Sequence, residues 1–193
     1  LAPSDEHAVD FIIRTVMDNP GEITIVTLGA LTNVATAMVK EPRLARNIKK
    51  LIMMGGVIVP PVDEKGIRRS PIEEYNFNND PKAARIVFDA DMDVKKRILI
   101  PIDVTLKVPL PDEHLQRIKT TNTPVANLVS KILEVWPDQE RRIYYSVGIA
   151  TEVTKIWLHD PLTIAVAFDP SLVTLAPLHI ALEFAPTVIE RDM

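Results

Sequence analysis

With 193 residues, 47% of them apolar and 25% charged, the chain has the length and composition of one globular domain, not of a disordered segment. A net charge of −4, with no basic run longer than Lys95-Lys96-Arg97, leaves no electrostatic footprint for nucleic acid or an anionic membrane. The lack of cysteine excludes disulfides, Cys-ligated zinc, thiol catalysis and iron–sulfur clusters, and suits a cytoplasmic location without demanding one.

In chain order, Ser4 or Asp5 is expected to cap a helix that carries Val9, Ile12, Ile13 and Val16 at helical spacing. Asn19-Pro20-Gly21 ends it. Ile23-Thr24-Ile25-Val26-Thr27-Leu28 reads as a buried strand, rich in β-branched residues. Gly29 breaks it, and a helix is expected over 31–39. Glu41-Pro42 should open another short helix, and Leu51-Ile52-Met53-Met54 is a second strand closed by Gly55-Gly56. A long loop over 57–79, with prolines at 60, 61 and 71, separates it from a helix opened by Asp80-Pro81. A third strand is expected over 97–102, helices after Pro111, Thr123-Pro124 and Asp160-Pro161, and a strand over 172–175.

Strands alternating with helices predict an α/β fold with a mainly parallel sheet flanked by helices, formed by residues 1–193 as a single domain. Gly29, Gly55 and Gly56 all follow predicted strands. The carboxyl edge of an open α/β sheet is where ligands bind, so a site is expected where Leu28-Gly29, Met54-Gly55-Gly56 and the segment after Ile102 converge. No apolar run is long enough to cross a bilayer. Leu1-Ala2-Pro3-Ser4-Asp5-Glu6 has neither the basic flank nor the apolar stretch of a signal peptide.

Several residue groups suit chemistry. In an extended Glu74-Tyr75-Asn76, residues 74 and 76 point to one side, and a carboxylate beside an amide suits a diol, whose hydroxyls both donate and accept. The plainer reading is a polar loop before the helix at Asp80. In His159-Asp160-Pro161, Asp160 reads first as a helix N-cap. A functional reading makes His159 a proton donor and Asp160 an oxygen ligand for a hard cation. The turn Leu28-Gly29-Ala30-Leu31-Thr32-Asn33 could aim a strand-end carbonyl at such a cation, since calcium accepts backbone oxygens; its plainer role is a turn closed by Thr32 or Asn33. Tyr144, Tyr145 and Trp157 are read as core residues, with stacking on a flat heterocycle open to the tyrosines. His7, His114 and His179 show no partner pattern.

Taken together, the chain resembles the inosine-uridine preferring nucleoside hydrolase family. The resemblance rests on Thr27-Leu28-Gly29-Ala30-Leu31-Thr32-Asn33-Val34-Ala35, Met54-Gly55-Gly56, Ser70-Pro71-Ile72-Glu73-Glu74-Tyr75-Asn76, Asn79-Asp80-Pro81-Lys82-Ala83-Ala84, Asp103-Val104-Thr105 and Leu158-His159-Asp160-Pro161-Leu162. It implies a Rossmann-like parallel sheet, incomplete at both ends. It also implies calcium-assisted hydrolysis of the N-glycosidic bond of ribonucleosides to free base and ribose. Asp160 would then ligate calcium and touch a ribose hydroxyl, and the Leu28 carbonyl would be a second metal ligand. Glu74, Asn76 and Met54 would bind ribose, and His159 would protonate the leaving base. Tyr144 or Tyr145 would lie near that base. The implied partner is a small ribonucleoside, and the implied assembly a dimer or tetramer.

The sequence departs from the family pattern in two places. The family's acidic Asp-x-Asp-x-Gly-x-Asp-Asp stretch is not matched; Asp89-Ala90-Asp91-Met92-Asp93 lacks its glycine and its position. The expectation is that the sequence begins about a hundred residues into the fold, with an open sheet edge, and is inactive and poorly soluble on its own. Arg191-Asp192-Met193 is likewise expected to stop short of the family's last elements. Arg68 occupies the position, six before Glu74, where the family usually has Asn, and Asp63-Glu64-Lys65 lengthens the loop before it. A non-catalytic nucleoside- or sugar-binding relative, or an assembly subunit, is the alternative.

Overall fold

The computed structural model describes residues 2–58, 74–146, 155–180 and 182. Arg68, the 63–65 insertion, the 70–73 part of the loop motif, the side chains of Tyr144 and Tyr145, and the 191–193 end lie outside the described residues.

Among the described residues, three strands form a parallel sheet in the order β1 (Thr24–Thr27), β2 (Lys50–Met54), β3 (Arg97–Ile100). Val26 pairs with Ile52, and Ile52 with Ile98. Side chains alternate across the sheet, so each face needs its own apolar cover. Ile25, Leu51, Met53 and Leu99 face one core with α1 (Ala8–Asp18), α2 (Thr32–Lys40), α3 (Leu44–Asn47) and α5 (Pro81–Asp89). Val26, Ile52, Ile98 and Ile100 face the other, covered by Val166 and Leu162 of α9 (His159–Phe168). The remaining helices are α4 (Tyr75–Asn78), α6 (Ile102–Thr105), α7 (Asp112–Thr120) and α8 (Pro124–Ser146). The expected α/β architecture is the observed one.

Several local expectations are corrected. The cap of α1 is His7, whose Nδ1 accepts the Val9 N–H at 3.2 Å; Ser4 instead accepts from Glu6. The helix after Glu41-Pro42 starts at Leu44, because the Glu41 carboxylate turns back onto the Arg43 N–H and guanidinium. Thr32 does not satisfy the turn after Gly29; its hydroxyl donates to Asp80, 2.6 Å away. β3 ends at Ile100, since Pro101 has no N–H to extend the ladder and the chain winds into α6. No strand forms over 172–175. Asp169 accepts from the Ser171 N–H and hydroxyl, closing a 3₁₀ turn over Pro170–Leu172, after which the chain is irregular to 180.

Candidate active site

The carboxyl ends of all three strands open on the same edge, and hydrogen bonds stitch their following loops together. The Gly55 N–H donates to the Ile100 carbonyl at 3.2 Å, the Ile102 N–H to the Gly56 carbonyl at 3.0 Å, and the Ile58 N–H to Asp103 Oδ1 at 3.0 Å. Gly56 has φ +75°, a conformation that glycine adopts without strain. A Cβ on Gly55 would lie 2.5 Å from the Phe77 ring, so the two glycines let α4 press directly on the β2 loop.

Glu74 and Asn76 both reach this loop, by a geometry different from the extended one expected. Glu74 is the N-cap of α4, because its carboxylate can collect the free N–H groups of that turn. Oε1 accepts from Asn76 N at 2.8 Å; Oε2 accepts from Phe77 N at 3.0 Å and Gly56 N at 2.8 Å. Three backbone donors on a side chain only 7% exposed make Glu74 a clamp between α4 and β2. An ionised carboxylate offers about four lone-pair directions, which leaves one to spare. Asn76 directs Nδ2 to the Met54 carbonyl at 3.1 Å and the Met54 sulfur at 3.0 Å, so its Oδ1 is the end left to accept. Met54 is 4% exposed and serves as a wall.

His159 and Asp160 arrive from the opposite end of the chain. Residues 156–158 run antiparallel to 108–110, with Leu110 N to Ile156 O at 2.7 Å and Leu158 N to Val108 O at 2.9 Å, and Trp157 bridges Pro109. This pairing carries the chain straight into α9. The cap therefore falls on Leu158, and Asp160 is not the N-cap that its Asp-Pro context predicts. It lies in the first helical turn, where the helix dipole favours negative charge. Burial pushes the Asp160 carboxyl up from the usual carboxylate range, an effect that His159 beside it offsets in part. His159 Nδ1 is 2.6 Å from the Thr105 hydroxyl at the end of α6.

The Leu28 carbonyl follows β1, one residue beyond the Thr27–Met53 pair and so beside the Met54 end of β2. Thr27 Oγ1 is buried there without a hydrogen-bond partner. Leu28 and Met54 thus stand at strand ends, Glu74 and Asn76 are hydrogen-bonded to the end of β2 and its loop, and His159 contacts Thr105 in the helix after β3, with Asp160 next to it in α9. Sequence reasoning missed Thr105, quoted only as part of a motif, and the packing of Phe77 on the glycine pair. A hydroxyl that must find its partner across 54 residues leaves no local signal.

Against this geometry stands the similarity to known proteins. The profile described as inosine-uridine preferring nucleoside hydrolase matches residues 1–191. The chain belongs to that family. It is 32% identical to a probable uridine nucleosidase 2 of Arabidopsis thaliana, over 89% of this chain and 49% of the relative. It is 31% identical to a pyrimidine-specific ribonucleoside hydrolase of Citrobacter koseri, over 95% of this chain and 54% of the relative. The solved structure of a purine-preferring ribonucleoside hydrolase from Gardnerella vaginalis superposes with a TM-score of 0.75 at 30% identity, covering 92% of this chain and 52% of that one. The chain spans about half the length of the curated relatives it matches.

Nucleoside hydrolases use a metal ion. A half-buried carboxyl pushed toward its neutral form by desolvation is a group that a cation would stabilise when ionised, and Asp160 fits that role. A hard cation such as calcium takes six to eight oxygens. Among the described residues no group of three or more acidic or histidine side chains is placed to hold one. Asp160 therefore fits as one member of a ligand set.

Proposed function

We propose that the protein, in full-length form, hydrolyses the N-glycosidic bond of ribonucleosides to free base and ribose, with calcium as the metal. The observation that supports it is that Glu74 and Asn76 are tied to the Met54 end of β2 while His159, which precedes Asp160, contacts Thr105 in the helix after β3, in a chain of this family. In the reaction the bond from C1′ to the base nitrogen breaks, a water oxygen bonds to C1′, and the departing nitrogen gains a proton. Positive charge builds on the ribose as the bond breaks. The spare acceptor direction of Glu74 and the Oδ1 of Asn76 take ribose hydroxyl hydrogens, while Met54 excludes water from the sugar's apolar face. Asp160 touches a ribose hydroxyl and, with the Leu28 carbonyl, helps hold the metal. Calcium, when bound, orients water, lowers its pKa and grips the diol. His159 hands a proton to the leaving base, which general-acid catalysis favours by about 10²–10⁴-fold.

The names of the relatives include both pyrimidine-specific and purine-preferring enzymes at nearly equal identity, so similarity does not select the base. No helix among the described residues is long and apolar enough to cross a membrane; we place the protein in the cytoplasm as a homo-oligomer. The test is ribose and base release from inosine and uridine, measured for the full-length protein and for the 193-residue chain alone. Release by the first and none by the second is expected. Tight nucleoside binding without release by the full-length protein would convert the reading to a binding protein.

A further inference from the structure

We propose that Asp103 is a positioning residue: its carboxylate tethers the segment that follows β2 and so fixes the place where Gly56 meets Glu74. That segment, residues 55–58, continues β2 alongside the chain that leaves β3. Two backbone bonds join them, from the Gly55 N–H to the Ile100 carbonyl at 3.2 Å and from the Ile102 N–H to the Gly56 carbonyl at 3.0 Å. A third backbone rung would need the Ile102 carbonyl. That carbonyl has turned into α6, where it accepts from the Leu106 N–H at 2.9 Å and the Thr105 hydroxyl at 3.2 Å. The Ile58 N–H goes instead to Asp103 Oδ1 at 3.0 Å, so a side chain supplies the rung that the backbone has given up. An amide N–H only donates and an ionised carboxylate only accepts, so the direction of this bond is fixed.

The rung matters because of what stands across from it. Gly56 donates its N–H to Glu74 Oε2 at 2.8 Å, and a Cβ on Gly56 would lie 3.1 Å from the Phe77 ring. The start of α6 thus holds the segment on one side while Glu74 and Phe77 of the α4 turn hold it on the other. Loss of the Ile58 rung frees the segment to pivot at Gly56, and the Gly56 N–H is the donor to Glu74 that α4 does not supply. A plainer role for Asp103 is an acid in the first turn of α6. The two roles respond to opposite substitutions. Asn keeps an oxygen at the Oδ1 position and loses the charge; Glu keeps the charge and moves the oxygen. The effect on substrate rests on the reading of Glu74 as a ribose ligand; the tether to Ile58 does not.

Both are read on the full-length protein. With ¹⁵N-isoleucine labelling, and Ile58→Val to identify the signal, the Ile58 amide should exchange with solvent at least about tenfold more slowly than in Asp103→Ala. Asp103→Asn should keep that protection and Asp103→Glu should lose it. Rapid exchange at Ile58 in the unmodified protein, which needs no substitution to fold, overturns the tether, as does protection that survives Asp103→Ala. Asp103→Ala should also raise KM for inosine and uridine at least about threefold with kcat changed less than about twofold, the pattern of binding lost equally from ground and transition states, and Asp103→Asn should restore it. A KM unchanged in Asp103→Ala, or restored by Glu and not by Asn, overturns the positioning role. Should the unmodified protein release no base while Asp103 still protects Ile58, the proposed function falls and the tether stands.

Discussion

Asp80 joins two helices through one carboxylate. Oδ1 accepts from the Ala83 N–H at 3.0 Å as the cap of α5, and Oδ2 accepts from Thr32 at the start of α2 at 2.6 Å. The Thr32 hydroxyl first, and the Ala83 N–H second, hold its carboxyl below the usual range. A group whose folded-state pKa is depressed stabilises fully above its unfolded value and loses that contribution as pH falls through the folded one. Asp80→Ala should therefore cost about 1 kcal/mol near neutral pH. The gap to the unmodified protein should narrow as pH falls below about 4. Urea midpoints at several pH values check both; a gap that widens in acid would contradict the assignment. Asp80 was legible because Asp-Pro before a helical pattern is a local signal. Asp160 carries the same signal, yet the cap falls two residues earlier, on Leu158, because of pairing with residues 108–110, a contact distant in sequence. His7 was missed because a histidine cap has no distinctive spacing.

At the scale of elements, the three strands and α2, α3 and α5 between them were readable because each has an apolar pattern and a Pro, Gly or Asp boundary. The segments that failed are those decided by hydrogen bonds from elsewhere. Tyr75 and Asn76 are helical because the Glu74 carboxylate, as N-cap, collects N–H groups from both α4 and the β2 loop. The irregular chain after Leu172 has β-branched composition but no strand neighbour among the described residues. The junction of β2 and α4 depends on close approach. Phe77 is wedged against Gly55 on one side and meets Phe88 edge-on, ring centroids 5.7 Å apart, on the other. Gly55→Ala should thus destabilise the chain by about 1–3 kcal/mol, the usual range for overpacking. Adding Phe77→Leu should recover part of the loss, since the two positions touch and their effects are not additive. A thermal melt of Gly55→Ala that matches the unmodified chain would show that the ring yields freely.

For the whole molecule, the described sheet has β1 and β3 at its edges, each paired on one side. Such edges offer unpaired backbone groups to other strands. Val125, Leu128, Ile132 and Val135, spaced along one side of α8, are all exposed, as is Phe168 at the end of α9. These open surfaces accord with a chain that spans about half the length of its curated relatives. Among the described residues no group of three or more acidic or histidine side chains is placed to hold a cation, so the metal site proposed for Asp160 is at most partial here. The family pattern was legible because its motifs sit at strand ends, where backbone geometry limits the residues tolerated. A metal site gathered from several strand ends at once leaves no comparable local signal.

The most direct measurement is ribose release from inosine and uridine by the full-length protein, before and after calcium is stripped by a chelator and restored, with Asp160→Asn alongside. Release should vanish on chelation and return with calcium, and Asp160→Asn should lower it by about a hundredfold or more. Undiminished release in chelator, or an Asp160→Asn protein as active as the unmodified one, would contradict the account.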